Sequence, residues 1–431
     1  MPAEHRPTNQ SDEGPPPGGP RPRRPLARVL LVTHYFPPEV GAPQARLSET
    51  ARAWAADGLD VTVLTGLPNH PTGVVPPEYR GAVRRVERVD GYRVVRTWLY
   101  ATPNEGVVRK TLSHLSFMAT SAALAGRAAG PADVVVVSSP TFFSLGSAWL
   151  LARRRRARLV VEVRDLWPAI FTQLGVITNQ RVIRALERLE LAAYRAADAV
   201  VTVTEGFRDD IVRRGIPAEK VHVIPNGVDL DRFRPDAVDP ASPRARRARE
   251  RMGAGPDDVL VLYIGAHGIS QGLLSVAEAA ARVARAPAAP RRDGQAGGRI
   301  RFAFVGEGAD KQALASYVAA LGLTNTTLLP AVSRDEVPEL LAAADICLVP
   351  LRDVPLFETF IPSKMFELLA AGRPVIGSVR GEAARILTAA GAVVVPPEDP
   401  DALAEAVRRL AADPKRRAEM GRAGRAYVEA H

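Results

Sequence analysis

The stretch that decides the fold runs from Arg28 to Gly58 and reads RVLLVTHYFPPEVGAPQARLSETARAWAADG. Its first six residues form a near-continuous apolar run, which is typical of a strand buried on both faces. A loop with two prolines and Gly41 follows, and a helix is predicted to begin near Gln44. Such a loop directs backbone amides and a helix N-terminus at the carboxyl edge of a sheet, where an anion binds well. Gly41 is therefore a candidate ligand-binding residue, with an ordinary strand-to-helix turn as the alternative.

The alternation of strand and helix continues along the chain. Further apolar runs in the first half lie at 60–64, 92–96, 133–138, 157–163 and 199–204, and VHVIPNGVD at 221–229 ends this series. A second series lies at 259–265, 299–306, 326–330, 345–350, 373–377 and 392–396. Helices alternating with buried strands predict an α/β fold with two Rossmann-like, doubly wound parallel-sheet domains. Tandem domains of this kind face a cleft, where their ligands bind.

Composition changes along the chain predict the domain bounds. Residues 1–25 are rich in Pro, Gly and Arg and are predicted to be a disordered tail. The N-terminal domain is predicted at 26–228, a linker at 229–251 and the C-terminal domain at 252–431. Residues 286–299, APAAPRRDGQAGGR, are predicted to form a surface insertion.

The composition excludes several classes of protein. The 431 residues are 46% hydrophobic and 24% charged, as in globular proteins. The single cysteine, Cys347, excludes a disulfide scaffold and a cysteine-built zinc site. The net charge of +10 favours anionic partners, but five lysines against many arginines indicate a coding bias, so we expect no nucleic-acid partner. With no apolar signal region and no run of about 18 apolar residues, we expect a cytoplasmic protein.

Two motifs of the first half place polar residues where strands end. His70 lies in GLPNHPTG, residues 66–73, and Asp165 lies in VEVRDLWP, residues 161–168. Both follow apolar strands, so both are expected at the sheet edge that faces the cleft. His70 could equally be an exposed turn residue, and Asp165 could form a structural pair with Arg164.

The most informative motif is LFETFIPSKMFELLAAGRPVIG, residues 356–377. A helix is predicted to begin at Ser363 and to present the amides of residues 361–364, Ile361 among them, to a phosphate. Lys364 adds a mobile positive charge there. Glu367 lies one turn further, where it can accept hydrogen bonds from the vicinal hydroxyls of a ribose, and Glu358 precedes the helix, where it can meet another polar group of the ligand.

Two glycine-containing loops of the second half are predicted to face this helix. YIGAHGISQGL, residues 263–273, contributes Gly265, Gly268 and Gln271, and FVGEGADK, residues 304–311, contributes Gly306 and Glu307. Each loop follows a strand and precedes a helix. Three phosphate-binding turns in one domain are a stronger signal than any one of them. Two Asp-x-Asp pairs, 229–231 and 399–401, lie in the linker and at a helix start, so we expect no metal site.

A helix predicted within residues 109–127, RKTLSHLSFMATSAALAGR, is mostly apolar with basic flanks. Such a helix suits the interface of an anionic membrane. Packing in the core is the alternative.

With these motifs in view, the chain resembles the GT-B fold glycosyltransferases of family 4, and most of all the bacterial N-acetylfucosamine-transferase-like enzymes of O-antigen and capsule synthesis. The resemblance covers nearly everything from Arg28 onward and rests on HYFPPEVGAPQAR, GLPNHPTG, VRDLWP, IPNGVD, IGAHGISQGL, GEGADK and IPSKMFELLAAGRPVI. It implies retaining transfer from a nucleotide sugar, expected to be a UDP-sugar, without metal or other cofactor. It also implies that Glu367 binds the ribose, that Glu358 or a neighbour binds the donor sugar, and that the loop at Gly41 closes over the diphosphate.

The sequence departs from this family at three positions. The two family carboxylates are usually separated by seven residues, but Glu358 and Glu367 are separated by eight, and Thr359 stands at the expected place. The usual Arg and Lys of the first loop of the second domain are Ala266 and Gln271. Charge for the leaving diphosphate must then come from elsewhere, with Lys364 and Arg334 as the candidates.

The sequence therefore predicts a glycosyltransferase that moves a hexose or N-acetylhexosamine to a lipid-linked or cell-envelope glycan. Its expected location is cytoplasmic, with a peripheral position on the inner face of the plasma membrane as a variant of this. A UDP-sugar 2-epimerase of the same fold and a nucleotide-sugar-binding subunit without turnover are the alternatives.

Overall fold

A computed structural model of the protein describes residues 27–39, 41–70, 72–103, 106–126, 128–139, 142–285 and 298–431. The predicted tail at 1–25 and nearly all of the predicted insertion at 286–299 lie outside these residues, as does Arg127 at the end of the predicted amphipathic helix.

The first domain is built on an eight-stranded sheet. Its strands are β1 (Arg28–Val32), β2 (Asp60–Gly66), β3 (Arg84–Val89), β4 (Tyr92–Thr97), β5 (Val134–Ser138), β6 (Arg158–Val163), β7 (Ala199–Thr202) and β8 (Val221–Val223). They lie in the order β3-β4-β2-β1-β5-β6-β7-β8. Neighbours are parallel, with Val29 opposite Val61 and Val134, except that β3 pairs antiparallel with β4. The predicted parallel sheet is confirmed, and β3 is an additional edge strand that the sequence patterns did not reveal.

Six helices cover this sheet in the described part of the chain. They are α1 (Ala42–Ala56), α2 (Val107–Leu124), α3 (Ser144–Arg155), α4 (Ala169–Gln173), α5 (Gln180–Ala196) and α6 (Glu205–Arg213). Leu31, Val63 and Val94 pack into the cluster around α1, whereas Leu30 and Val95 pack into the cluster on the opposite face. Because successive side chains of a strand point to opposite faces, continuous apolar strands bury both faces.

The second domain is built on a six-stranded parallel sheet. Its strands are β9 (Val259–Ile264), β10 (Ile300–Val305), β11 (Thr326–Leu329), β12 (Ile346–Pro350), β13 (Val375–Ser378) and β14 (Val393–Val395), in the order β11-β10-β9-β12-β13-β14. Its helices are α7 (Pro243–Arg251), α8 (Leu273–Arg285), α9 (Lys311–Ala320), α10 (Val337–Ala343), α11 (Lys364–Ala370), α12 (Gly381–Ala389), α13 (Pro400–Ala411) and α14 (Pro414–Ala430). Leu260 and Leu262 bury on one face, and Val261 and Tyr263 on the other. Two doubly wound α/β domains are thus confirmed.

The predicted linker, residues 229–251, contains regular structure. Ser242 caps α7 by accepting a hydrogen bond from the Ala245 amide, 3.2 Å. Ala245 and Ala248 are buried, and α7 lies against α10 of the second domain. The last third of this stretch therefore packs with the second domain, while the exact bounds of the two domains stay a prediction.

The two domains are attached at the start of α6. The Glu382 carboxylate of the second domain accepts hydrogen bonds from the amides of Gly206, 2.6 Å, and Glu205, 3.3 Å. Beside it, the rings of Phe207 and Phe360 stack edge to face with their centroids 5.0 Å apart. A carboxylate at a helix N-terminus is favourable because it meets unpaired amides and the positive end of the dipole.

Candidate active site

Lys364, the first residue of α11, provides the clearest cation of the second domain. Its Nζ donates a hydrogen bond to the Tyr263 hydroxyl, 2.7 Å, and lies 4.0 Å from the centre of that ring. Among the described residues, no carboxylate lies within ion-pair distance of it. Burial lowers the pKa of Lys364 to about 7, and the charge of Glu367 only partly offsets this. Burying an ammonium group without a counter-ion is unfavourable, and an anion bound beside it would offset that cost.

The loops after β9 and β10 approach each other and Lys364 so closely that only glycine fits. A Cβ on Gly265 would lie 2.5 Å from Lys364 Nζ, and one on Gly306 would lie 1.8 Å from the Gly265 carbonyl oxygen. Both glycines have positive φ, 141° and 153°. The His267 amide donates to the Glu307 carbonyl, 2.8 Å, which holds the two loops together. The predicted grouping of Gly265, Gly306 and Lys364 is therefore present.

Two other predicted residues of these loops are used within the loops. Gln271 Oε1 accepts a hydrogen bond from the Gly268 amide, 3.0 Å, so this side chain caps its own turn. Glu307 pairs with Lys311, whose Nζ lies 2.6 Å from its carboxylate and also donates to the Gly306 carbonyl. In this conformation Gln271 and Glu307 stabilise the loops.

Glu367 and Arg334 are also brought together, and the N-terminal domain joins them. Arg334 Nη2 lies 3.8 Å from Glu367 Oε1 and 2.8 Å from Oε1 of Glu49, which is on α1. Desolvation raises the pKa of Glu367, while Arg334 lowers it. Arg334 thus connects the proposed ribose-binding carboxylate to the opposite domain across the cleft.

The other predicted residues of this motif lie nearby in sequence but are used differently. Ser363 precedes α11 without a side-chain capping bond, and Ile361 packs against the apolar core of the domain. Glu358 is exposed on a short 3₁₀ turn and forms no hydrogen bond or ion pair with the described residues. Arg380 nearby pairs with Asp353 instead, with 3.0 Å between Arg380 Nε and Asp353 Oδ1. The structure does not group Glu358 with Lys364.

In the first domain, His70 is held by a carboxylate that the sequence patterns did not single out. Glu39 Oε1 accepts hydrogen bonds from the amides of Asn69 and His70, both 2.8 Å, and its Oε2 accepts one from Phe36, 3.2 Å. The His70 ring lies 4.9 Å from the ring of Tyr35. Burial lowers the pKa of His70 and Lys110 lowers it further, so its imidazole is neutral at pH 7.

Two more histidines lie beside His70. His34 at the end of β1 is buried, and neither of its ring nitrogens has a hydrogen-bond partner within the described chain. His114 of α2 lies 4.2 Å from it between ring centres. Burial lowers the pKa of His34 well below its usual value and that of His114 to about 4.

Asp165 belongs to a third group, close to α1. Burial raises its pKa to about 6, against the effect of neighbouring Arg164. Arg46 of α1 forms hydrogen bonds with Glu162 of β6 and with Asn226 of the IPNGVD motif. Since Arg46 also lowers the pKa of Arg164 through its charge, α1 brings a second cation to the Asp165 group.

Gly41 stands directly before α1, and α1 connects these groups. A Cβ on Gly41 would lie 2.4 Å from the Gln44 side chain, so the glycine allows that side chain to fold over the helix start. On α1, Arg46 binds Glu162 in the group around Asp165. Glu49, one turn further along the helix, pairs with Arg334 of the second domain. Arg46, Glu39 and His34 lie within a quoted motif, but nothing in the sequence marked the Glu49–Arg334 or Lys364–Tyr263 pairs.

An arginine-lined cavity of about 830 Å³ lies at the opposite edge of the second sheet. Arg249 Nη1 donates to the Ala343 carbonyl, 2.7 Å, and pairs with Asp345, 2.9 Å. Arg373 Nη1 donates to the carbonyls of Ala342 and Ala344, both at 3.3 Å. These guanidinium groups donate hydrogen bonds to the free carbonyl groups at the C-terminal end of α10. Part of the positive charge of the chain therefore stabilises the fold.

Comparison with protein families identifies both domains. Residues 41–227 match the glycosyl transferase 4-like domain. Residues 245–427 match the glycosyl transferases group 1. Together the two matches span most of the chain, and the gap between them, residues 228–244, contains the first part of the predicted linker.

Individual relatives agree with this. The chain is 27% identical over 400 residues to the putative colanic acid biosynthesis glycosyl transferase WcaI of Escherichia coli, covering 90% of this chain and 93% of WcaI. It is 28% identical over 414 residues to a GDP-mannose-dependent alpha-(1-6)-phosphatidylinositol monomannoside mannosyltransferase of Mycobacterium tuberculosis, covering 94% of both. Anabaena HepE, solved in complex with UDP and glucose, shares the fold with a TM-score of 0.66 at 17% identity, covering 94% of this chain and 95% of HepE. The chain is a glycosyltransferase and belongs to family 4 of the GT-B fold.

Proposed function

We propose that the protein transfers a hexose or N-acetylhexosamine, with retention of anomeric configuration, from a nucleotide sugar to a lipid-linked or cell-envelope glycan at the cytoplasmic face of the membrane. The observation that carries the donor class is Lys364, a cation without a carboxylate partner in the described chain, beside the closely packed loops of Gly265 and Gly306. A diphosphate supplies the missing negative charge. The names of WcaI and of the mycobacterial mannosyltransferase support an envelope glycan as the product.

The donor is proposed to lie across the second domain, with its diphosphate near Lys364 and its ribose at Glu367. The ribose hydroxyls would donate to the Glu367 carboxylate and so replace its weak contact with Arg334, 3.8 Å. Arg334 would keep its ion pair with Glu49, 2.8 Å, and is the second candidate cation for the diphosphate. As the glycosidic bond breaks, negative charge grows on the leaving oxygen, and preorganised cations lower the energy of that state.

UDP is the nucleotide that we propose first. HepE was solved with UDP, and its fold is similar. GDP is the second candidate, because the mycobacterial relative uses GDP-mannose and matches along almost its whole length.

The acceptor is proposed to bind against the first domain, near His70 and Asp165. At pH 7 the neutral His70 imidazole can accept a proton, and the Asp165 carboxylate, with its pKa raised to about 6, is mostly ionised. Each is a candidate base for the acceptor hydroxyl. Glu39 acts as a positioning residue, since it holds the loop that carries His70.

The test measures transfer directly. The full chain is incubated with a panel of UDP- and GDP-sugars, with and without membrane lipid extract, and the products are analysed by mass spectrometry and NMR of the new anomeric centre. Lipid-dependent transfer with retained configuration is expected. Lys364→Met should abolish it, whereas Lys415→Met, an exposed lysine of α14, should not change it.

Two other outcomes would replace this proposal. Conversion of the donor sugar without any acceptor would identify a UDP-sugar 2-epimerase. Tight nucleotide binding without turnover would indicate a binding subunit, which Ala266 and Gln271 favour because the usual Arg and Lys of this loop are missing.

A further inference from the structure

A row of aromatic rings with three histidines lies at the carboxyl edge of the first sheet. Neighbouring ring centroids are 4.9, 4.4, 4.2 and 6.4 Å apart along the row. The first and last strands that lead into it, β1 and β5, are parallel neighbours in the sheet. We call this group the histidine row and define it, in this order, as His70, Tyr35, His34, His114 and Phe143.

Several buried polar atoms of this region have no hydrogen-bond partner. Both ring nitrogens of His34 and Nδ1 of His114 are buried without a hydrogen bond to the described chain. Ser144 follows Phe143 and is only 1% exposed, and its Oγ is likewise unpaired among the described residues. Buried polar groups of native proteins nearly always have a partner, so each exception needs an explanation. A polar ligand bound at the histidine row would provide these partners.

The charge beside the histidine row is positive. Lys110 lies one turn before His114 on α2, so the two side chains share one side of that helix. Lys110 is half-buried, which lowers its pKa. Within the described ranges, no carboxylate lies within ion-pair distance of Lys110 or of the three histidines. Glu39, the carboxylate nearest in sequence to His34, already accepts hydrogen bonds from three backbone amides. The region therefore has a cation without a counter-ion.

The start of α3 adds to this positive potential. The helix has 12 residues and begins at Ser144, and Phe143 before it provides no side-chain cap. α3 lies against α2, the helix that carries Lys110. The free amides and the dipole of a helix N-terminus favour an anion. The helix start, the unpaired Ser144 hydroxyl and Lys110 therefore favour the same class of ligand.

We propose that the histidine row, together with Lys110 and Ser144, binds a phosphate group of the acceptor. Lys110 supplies a positive charge, and the imidazole and hydroxyl groups supply hydrogen-bond donors. This is a second anion site, in the first domain, separate from the donor diphosphate site proposed at Lys364 in the second domain. The inference rests on the proposed function and deepens it, because it requires the acceptor to be a phosphate ester.

The position of the site relates it to the transfer step. Tyr35 lies between the candidate base His70 and His114, with ring centroids 4.9 and 6.1 Å from its own. A phosphate bound at His114 would therefore hold the accepting hydroxyl of the same molecule near His70. A lipid-linked sugar carries such a phosphate. None of the helices in the described part of the chain is long and apolar enough to cross a membrane.

The experiment is titration calorimetry of the full chain with inorganic pyrophosphate at pH 7. Lys364→Met removes the cation of the donor site, and this variant should still bind one pyrophosphate. Adding Lys110→Met should weaken that binding about tenfold or more, because a hydrogen bond from a charged group is lost. Adding Lys110→Arg instead keeps the charge and should retain most of the affinity. Adding His114→Phe keeps an aromatic ring in the row but removes its donor, so binding should also weaken.

The matched control adds Arg109→Met to Lys364→Met, which removes an exposed positive charge from the adjacent position of α2. It should bind pyrophosphate as tightly as Lys364→Met alone. An equal loss in this control, unchanged binding after Lys110→Met, or no binding by Lys364→Met would each overturn the proposal. Melting temperatures show whether each variant is folded, and Lys110→Met tests the site even if His114→Phe does not fold.

A second titration separates the acceptor phosphate from the donor diphosphate as the occupant. Wild type saturated with UDP should still bind one pyrophosphate. Competition between UDP and this pyrophosphate would assign the site to the donor and overturn the proposal. Since no transfer is measured in either titration, a missing second site would leave the transferase proposal standing. Absence of transfer by a protein that binds the second pyrophosphate would count against the transferase proposal alone.

Discussion

Donor affinity should depend on the proton of Lys364. With its pKa lowered by burial to about 7, roughly half of the free protein carries the ammonium at pH 7 and about a tenth at pH 8. A bound diphosphate stabilises the charged form, so binding at pH 8 should take up close to one proton, about 0.9. Above pH 7 the dissociation constant should then rise by up to about tenfold per pH unit.

The lowered pKa of Lys364 makes stability depend on pH in the opposite direction to donor affinity. The unfolded chain has an ordinary lysine pKa of about 10.4, so between pH 7 and about 10 it holds more protons than the folded chain. The contribution of Lys364 to stability therefore rises with pH over this window, while donor affinity falls. A loss of affinity caused by unfolding would not follow this pattern.

The assay is titration calorimetry of UDP, and separately of GDP, at pH 7, 8 and 9 in two buffers with different ionisation enthalpies. Lys364→Arg keeps a permanent charge and should remove the pH dependence and the proton uptake. Lys364→Met should weaken binding by about 30-fold or more at pH 7, since it removes one partner of a desolvated charge pair. Wild-type affinity that is flat from pH 7 to 9, with no proton uptake, would refute the role given to Lys364.

Three further predictions concern the loops and histidines. Gly306→Ala should destabilise the protein strongly or prevent its folding, because its Cβ would lie 1.8 Å from a carbonyl oxygen, whereas Gly322→Ala, where the space is open, should cost about 1 kcal/mol in chemical denaturation. His34→Phe should reduce the loss of melting temperature between pH 7 and pH 5. The pKa of His34 is lowered in the folded protein, so the stabilisation that its neutral ring provides is lost as pH falls below about 6.5. His222→Phe, at an exposed position, should leave that loss unchanged, and equal behaviour of the two variants would contradict this prediction. Glu39→Gln should cost about 1–3 kcal/mol of stability and reduce turnover more than donor affinity, which steady-state kinetics would show.

The fold could be predicted because its strands are apolar on both faces. Runs such as β1 and β5 leave no other place for their side chains than a sheet covered on both sides. β3, RRVERV, was missed because it is an edge strand with exposed positions on both faces and no apolar alternation. The sequence predicts a linker where α7 lies, because the many arginines of this helix obscure the pattern of its two buried alanines, which pack against α10.

The sequence predicts the single loops and residues of the candidate site, but not the contacts between residues that lie far apart in the chain. Glycine turns and a lysine after strands are local signals, so the grouping of Gly265, Gly306 and Lys364 could be expected. Tyr263 lies 101 residues from Lys364, and a pair formed between distant loops leaves no mark in either one. Glu39 is similar, since its role depends on a loop about 30 residues further along. The catalytic roles of His70, Asp165 and Glu358 stay predictions.

Two polar attachments between the domains differ in how far water and salt reach them. Glu382 is only 9% exposed and is held by backbone amides, whereas the Arg334 and Glu49 side chains are 29% and 39% exposed. Ions screen the second attachment much more than the first. As ionic strength rises, the domains should therefore rotate about the start of α6 instead of separating. Higher ionic strength is therefore expected to widen the cleft on the side of α1, while the contact at the start of α6 holds.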